Sequence, residues 1–133
     1  MADAEIKAVE AAIDRCVREF YGKARQDPLL GPVFDAEIAD WEVHFRVVGN
    51  FWSGVLLKTD RYSGHPYPPH VNLPIEPQHI DRWLELFTET AHATLRPPYV
   101  ERALARARMM GDSFKAGLFP FLDKNGKPSR HPA

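Results

Sequence analysis

Four stretches of this chain repeat their apolar residues at helical spacing, and prolines mark where those stretches must stop or begin. The first runs from Asp3 to about Gln26, with Ile6, Val9, Ile13, Cys16, Val17, Phe20 and Ala24 on one side and charged residues over most of the rest. Asp3 is the expected cap, and Asp27-Pro28 the stop, because proline restricts the residue before it and has no N–H to continue the helix. The next residues, Leu29-Leu30-Gly31-Pro32-Val33-Phe34, are apolar but broken by Gly and Pro, which predicts a tight, partly buried turn. A second helix is expected from about Ala39 to Leu57, with His44, Val48, Phe51 and Val55 on one face and Trp41, Phe45 and Trp52 widening it. The third begins at Pro77, a favoured first helical position, and continues to about Leu95 on Ile80, Trp83, Leu84, Phe87, Ala91 and Leu95. Pro97-Pro98 separates it from a fourth, Tyr99 to about Phe119, which turns Val100, Leu104, Ala107, Met110, Phe114 and Leu118 inward. No strand alternation is present, so the fold class is all-α.

The interval from Thr59 to Pro77 breaks this pattern. Of the 12 prolines in the chain, Pro66, Pro68, Pro69, Pro74 and Pro77 fall there, leaving room only for a short helical turn around His70 to Leu73. A connection so long and so stiff is often functional. With 133 residues the chain suits a single domain, 1–133, in which residues 124–133 form a polar tail expected to fray.

Seventeen Lys plus Arg against eighteen Asp plus Glu give a formal net charge of −1, which supplies no broad field for nucleic acid or an anionic membrane. The lone cysteine, Cys16, falls among the apolar positions of the first helix and reads as a small core residue. A single Cys, an N-terminus without a basic region followed by an apolar run, and no apolar stretch of spanning length together predict a cytoplasmic location.

Phosphate-binding glycine loops, Cys-x-x-Cys pairs, His-Glu-x-x-His helices and nucleophile elbows are all missing from the sequence. Chemistry therefore falls to the histidines: His44, His65, His70, His79, His92 and His131. His44 occupies an apolar helix face, where a hydrogen-bonded core histidine is the ordinary reading. His70 is held in the stiff segment Tyr67-Pro68-Pro69-His70-Val71-Asn72-Leu73-Pro74, and alone would pass for a turn residue. Tyr21, if inward, needs a partner for its hydroxyl, and Trp83 brings one N–H on a large apolar body. Taken together, a phenol, an imidazole and an indole on three helices, plus a histidine on a rigid loop, suit a flat apolar cofactor with a polar centre. Two other readings remain open on the residues alone. One is a haem-free helical module that binds a partner protein, and the other a mononuclear metal enzyme using His44, His65, His70 and His79, for which no recognised ligand spacing exists.

From about Val17 to Gly117 the sequence resembles the group III truncated haemoglobins of bacteria. The likeness rests on Phe20-Tyr21, then Asp27-Pro28-Leu29-Leu30-Gly31-Pro32-Val33-Phe34, then Trp41-Glu42-Val43-His44 with Gly49-Asn50-Phe51-Trp52. Tyr62-Ser63-Gly64, His70-Val71-Asn72-Leu73-Pro74 and Arg82-Trp83-Leu84-Glu85-Leu86-Phe87 complete the series. The glycine pairs of other truncated globins are absent, as they are in group III. The resemblance implies a shortened globin fold, a helical sandwich around haem b. It makes His70 the proximal iron ligand and Tyr21, His44 and Trp83 the distal residues that stabilise a ligand. Phe34, Val48, Phe51, Tyr62 and Trp83 become cofactor contacts, with Tyr62 or Arg46 the candidates for a haem propionate. Oxygen, nitric oxide or carbon monoxide would bind at ferrous haem, and His44 would compete for the iron if it swung onto it. Several distal donors imply slow oxygen release, suited to redox or detoxification chemistry on nitric oxide or peroxide rather than storage. Weak peroxidase or nitric oxide dioxygenase-like turnover would then need an external electron donor, since no nicotinamide motif or reductase domain is visible.

Overall fold

A computed structural model describes residues 2–62 and 73–130. Helix α1 (Asp3–Gln26) has Asp3 and Glu5 in its first turn and Lys23 and Arg25 in its last, which matches the helix dipole at both ends. Ala2 takes the cap position in place of the expected Asp3 and makes no side-chain capping bond. Asp27 closes the helix and organises the bend beyond it. Its Oδ2 accepts from the backbone N–H groups of Leu29 and Leu30 at 3.0 Å each, and its carbonyl from Gly31 at 2.9 Å.

The segment expected to be a turn is instead a short helix, α2 (Gly31–Glu37), with Pro32 in its first turn, where a proline costs no helical hydrogen bond. Gly31 is obligatory there: a Cβ would stand 2.5 Å from the carbonyl oxygen of Arg25. Helix α3 (Trp41–Leu57) starts two residues later than expected because Asp40 caps it, its side chain accepting from the Val43 N–H at 3.2 Å. It ends at Lys58, whose left-handed backbone (φ 59°) turns the chain away. Helices α4 (Pro77–Thr94) and α5 (Tyr99–Leu118) match their expected spans to within a residue.

Both α3 and α4 pack against α1 and against α5, so the four long helices close a ring. Inside it Ala24, Ala91, Ala103 and Ala107 are fully buried, which lets helix backbones approach closely, while Phe20, Leu86, Phe87 and Leu104 fill the space between them. Cys16 is buried as expected, and burial pushes its thiol pKa up. Beyond α5 the chain does not simply fray. Phe121–Leu122 and Pro128–Ser129 pair antiparallel around a turn in which Asp123 Oδ1 accepts from the N–H groups of Asn125 and Lys127, with Gly126 at φ 77°. Among the described residues no helix is long and apolar enough to cross a membrane.

Candidate functional site

The ring is not packed throughout. On the side where α2, α3 and the N-terminal half of α4 face one another, it leaves a cavity of about 380 Å³, within the range of small-molecule and cofactor sites. Its wall is mostly aliphatic and aromatic: Phe34 from α2, Val48 and Phe51 from α3, Ile80 and Trp83 from α4, Met110 and Phe114 from α5. Tyr62, just beyond α3, packs edge-on against Phe51 with centroids 5.3 Å apart. It is held there by the residues before it. Buried Ser53 donates to Glu10 at 2.8 Å and accepts from Thr59 at 2.9 Å, and Arg61 donates to both Ser53 and Glu10.

One polar couple lies inside these apolar walls. Tyr21 projects from α1 with its ring boxed edge-on by Phe34 at 5.3 Å and His44 at 4.9 Å, and its hydroxyl is 3.0 Å from His44 Nε2. Burial raises the Tyr21 pKa well above the ordinary phenol value, so the hydroxyl keeps its proton. Trp83 is fixed by stacking: its ring lies 5.4 Å from Phe87 at an interplanar angle of 3°, and Phe87 in turn stacks on Trp52 at 4.8 Å and 13°.

A separate clamp sets α4 against the end of α1. Arg82 Nε donates to Asp27 Oδ1 at 2.7 Å, and Asp27 is nearly sealed from solvent. Burial alone would push the Asp27 carboxyl upward. The Arg82 bond and the two backbone donors outweigh it and hold the pKa below the usual value. Trp83 is the very next residue, so the clamp fixes the stretch of α4 that carries the indole.

Of the residues singled out in sequence, Tyr21, Phe34, His44, Val48, Phe51, Tyr62 and Trp83 all line this one cavity. Arg46 is exposed and is not on the wall. His70 lies outside the described residues, as does His65. Two further polar residues line the wall: Glu37, on the unforeseen α2, which sequence reasoning missed, and His79, in the first turn of α4, which the sequence offered only as a candidate metal ligand and not as part of this cavity. The signal for His79 is its position three residues after Glu76, where a side chain can reach back to cap the helix. Among the described residues, no three His, Cys, Asp or Glu side chains converge in a way that could hold a metal ion.

Long helices closed around an apolar cavity, with one phenol–imidazole couple inside, define a helical cofactor-binding protein. No protein-family model matches the sequence. The chain is 33% identical over 117 residues to the group 3 truncated haemoglobin of Campylobacter jejuni subsp. jejuni, a match covering 84% of this chain and 92% of that one. It also superposes with a TM-score of 0.77 on the crystal structure of group III truncated haemoglobin from Campylobacter jejuni, at 32% identity over 83% of this chain and 91% of the other. The chain belongs to the group III truncated haemoglobins. Membership in a globin family brings haem as cofactor and a diatomic gas as the class of ligand. The cavity fits that group: its flanking walls suit a flat apolar macrocycle, and its polar couple suits a small polar ligand.

Proposed function

We propose that this chain, as a single truncated-globin domain in the cytoplasm, binds haem b through His70 and retains a diatomic ligand beside Tyr21, His44 and Trp83. The buried Tyr21 hydroxyl, 3.0 Å from His44 Nε2 inside a cavity walled mostly by aliphatic and aromatic side chains, carries this reading. Haem, when bound, supplies the ferrous iron at which a diatomic gas binds and exchanges electrons.

The protein's part is to place protons. Tyr21 has one to give, and His44 decides where it goes. A His44 ring with hydrogen on Nε2 donates to the Tyr21 oxygen and leaves the phenol free to donate into the cavity. A ring with Nε2 bare draws the phenol proton to itself. The Trp83 N–H is a donor in either case. Each bond to a partly negative ligand in a dry pocket adds ~1–3 kcal/mol, or about one to two decades in dissociation rate. Release is slow under these conditions, which suits redox chemistry on nitric oxide or peroxide, driven by an external electron donor, better than storage.

The family resemblance makes His70 the iron ligand, and two observations set aside the histidines on the cavity wall. His44 Nε2 is already engaged with Tyr21. His79 Nδ1 accepts a backbone hydrogen bond, so its neutral ring carries hydrogen on Nε2 and has no free lone pair to offer a metal.

The test is oxygen association and dissociation on the reduced, haem-loaded protein. Slow dissociation is expected. Release as fast as that of an apolar pocket without donors would refute the retention reading, and a colourless, fully folded protein that refuses haemin would favour a haem-free interaction module.

A further inference from the structure

One polar group on the cavity wall has its proton fixed by the backbone. His79 is the third residue of α4, and its Nδ1 accepts from the backbone N–H of Glu76 at 2.9 Å. A nitrogen that accepts bears no hydrogen, so the neutral ring holds its single proton on Nε2. The same side chain is half-buried and lines the cavity. Capping thus uses up the acceptor of this imidazole and leaves its donor available.

The residue type adds to the argument. Gln or Glu at the third helical position caps the N-terminus in the same way. Glu would bring a carboxylate to the wall, and His brings an N–H donor on Nε2 while its Nδ1 serves the cap. Elsewhere on the wall, Glu37 is an anion that repels a carboxylate. A porphyrin is apolar except for its carboxylate side chains, and those need donors.

We infer that the Nε2–H of His79 receives a carboxylate of the porphyrin and so sets which edge of the macrocycle faces the start of α4. This rests on the haem reading above. It adds a cofactor-binding residue on a helix cap, distinct from the iron ligand and from the Tyr21–His44 couple.

His79→Gln and His79→Glu separate the two jobs of the side chain, since both keep a capping acceptor. Gln also keeps a donor, whereas Glu replaces it with a negative charge that the helix N-terminus itself favours. The full chain is reconstituted with haemin, and loss of haem to an excess of apo-acceptor is followed by absorbance. His79→Gln should lose haem at close to the wild-type rate. His79→Glu should lose it at least about tenfold faster, with the thermal stability of the apo-protein undiminished. Repeating the measurement with haemin dimethyl ester, which lacks the carboxylates, should remove most of that penalty.

Equal retention of haemin by His79→Glu and wild type would overturn the inference. So would an equal penalty with the dimethyl ester. A wild-type chain that takes up no haemin overturns the haem reading itself and this inference with it, and that result is recognised before any variant is made.

Discussion

Helices α1 and α3 treat their apolar residues in opposite ways. α1 is rich in charge, yet it buries nearly its whole apolar side, from Val9 through Ala24. α3 is the more apolar of the two, yet it fully buries only Trp52, Ser53 and Leu56. His44, Phe45, Val48, Phe51 and Val55 are half-buried, and Val43 and Val47 are 44% and 47% exposed. Protein–protein packing satisfies the first helix and leaves the second unfinished. Of these α3 residues, His44, Val47, Val48 and Phe51 line the cavity; apolar surface left there is surface kept for a ligand, and α3 therefore depends on the cofactor in a way that α1 does not.

The contrast can be broken most directly at the cofactor. His70→Ala should abolish stable haem retention, read as loss of the haem absorption band after gel filtration; an unchanged spectrum would remove His70 as the ligand. Next in size is a pair of truncations. Phe87→Ala, in the packed ring, should cost the apo-protein ~3–5 kcal/mol in urea unfolding. Phe51→Ala, on the cavity wall, should cost the apo-protein clearly less and the haem-loaded protein more. Equal costs in the apo-protein would mean that the two helices are packed alike.

Tyr21→Phe acts on the ligand and not on the fold. Removing one donor worth ~1–3 kcal/mol should speed oxygen dissociation from several-fold to about a hundredfold in stopped-flow measurements. An unaltered rate would show that the hydroxyl stays committed to His44. The smallest effect is expected at the clamp between α1 and α4. Asp27→Asn should cost about 1 kcal/mol near neutrality, where Arg82 and two backbone N–H groups favour the charged form. Because the folded pKa is lowered, that contribution is whole above the unfolded value of about 3.9 and is lost as pH falls through the folded one. Acid melts should therefore bring wild type and variant together, and a gap that persists to about pH 2 would contradict the assigned charge.

The long helices are legible in the sequence because each carries an uninterrupted apolar side between proline boundaries. α2 is not, since Gly31-Pro32 signals a break and also fits a helix start. Only the approach of the Arg25 carbonyl, a contact across the bend, explains why glycine is there. The C-terminal hairpin has a local signal in Asn125-Gly126, outweighed by the polar composition around it. Tyr21 and His44 are each ambiguous alone, for a phenol and an imidazole 23 positions apart become a couple only when α1 and α3 cross. His79 shows a different limit: spacing reveals a cap, and only the fold reveals that the capping ring also faces the cavity.

The arrangement of the indoles has a practical consequence. Trp52 and Trp83 line the cavity, and Trp41 packs 5.5 Å from Tyr21, so every tryptophan in the chain lies at the wall or one ring behind it. A porphyrin seated among them would drain their excited states by energy transfer. Ultraviolet emission then serves as a built-in gauge of occupancy, bright when the pocket is empty and dark when it is filled, with no added label.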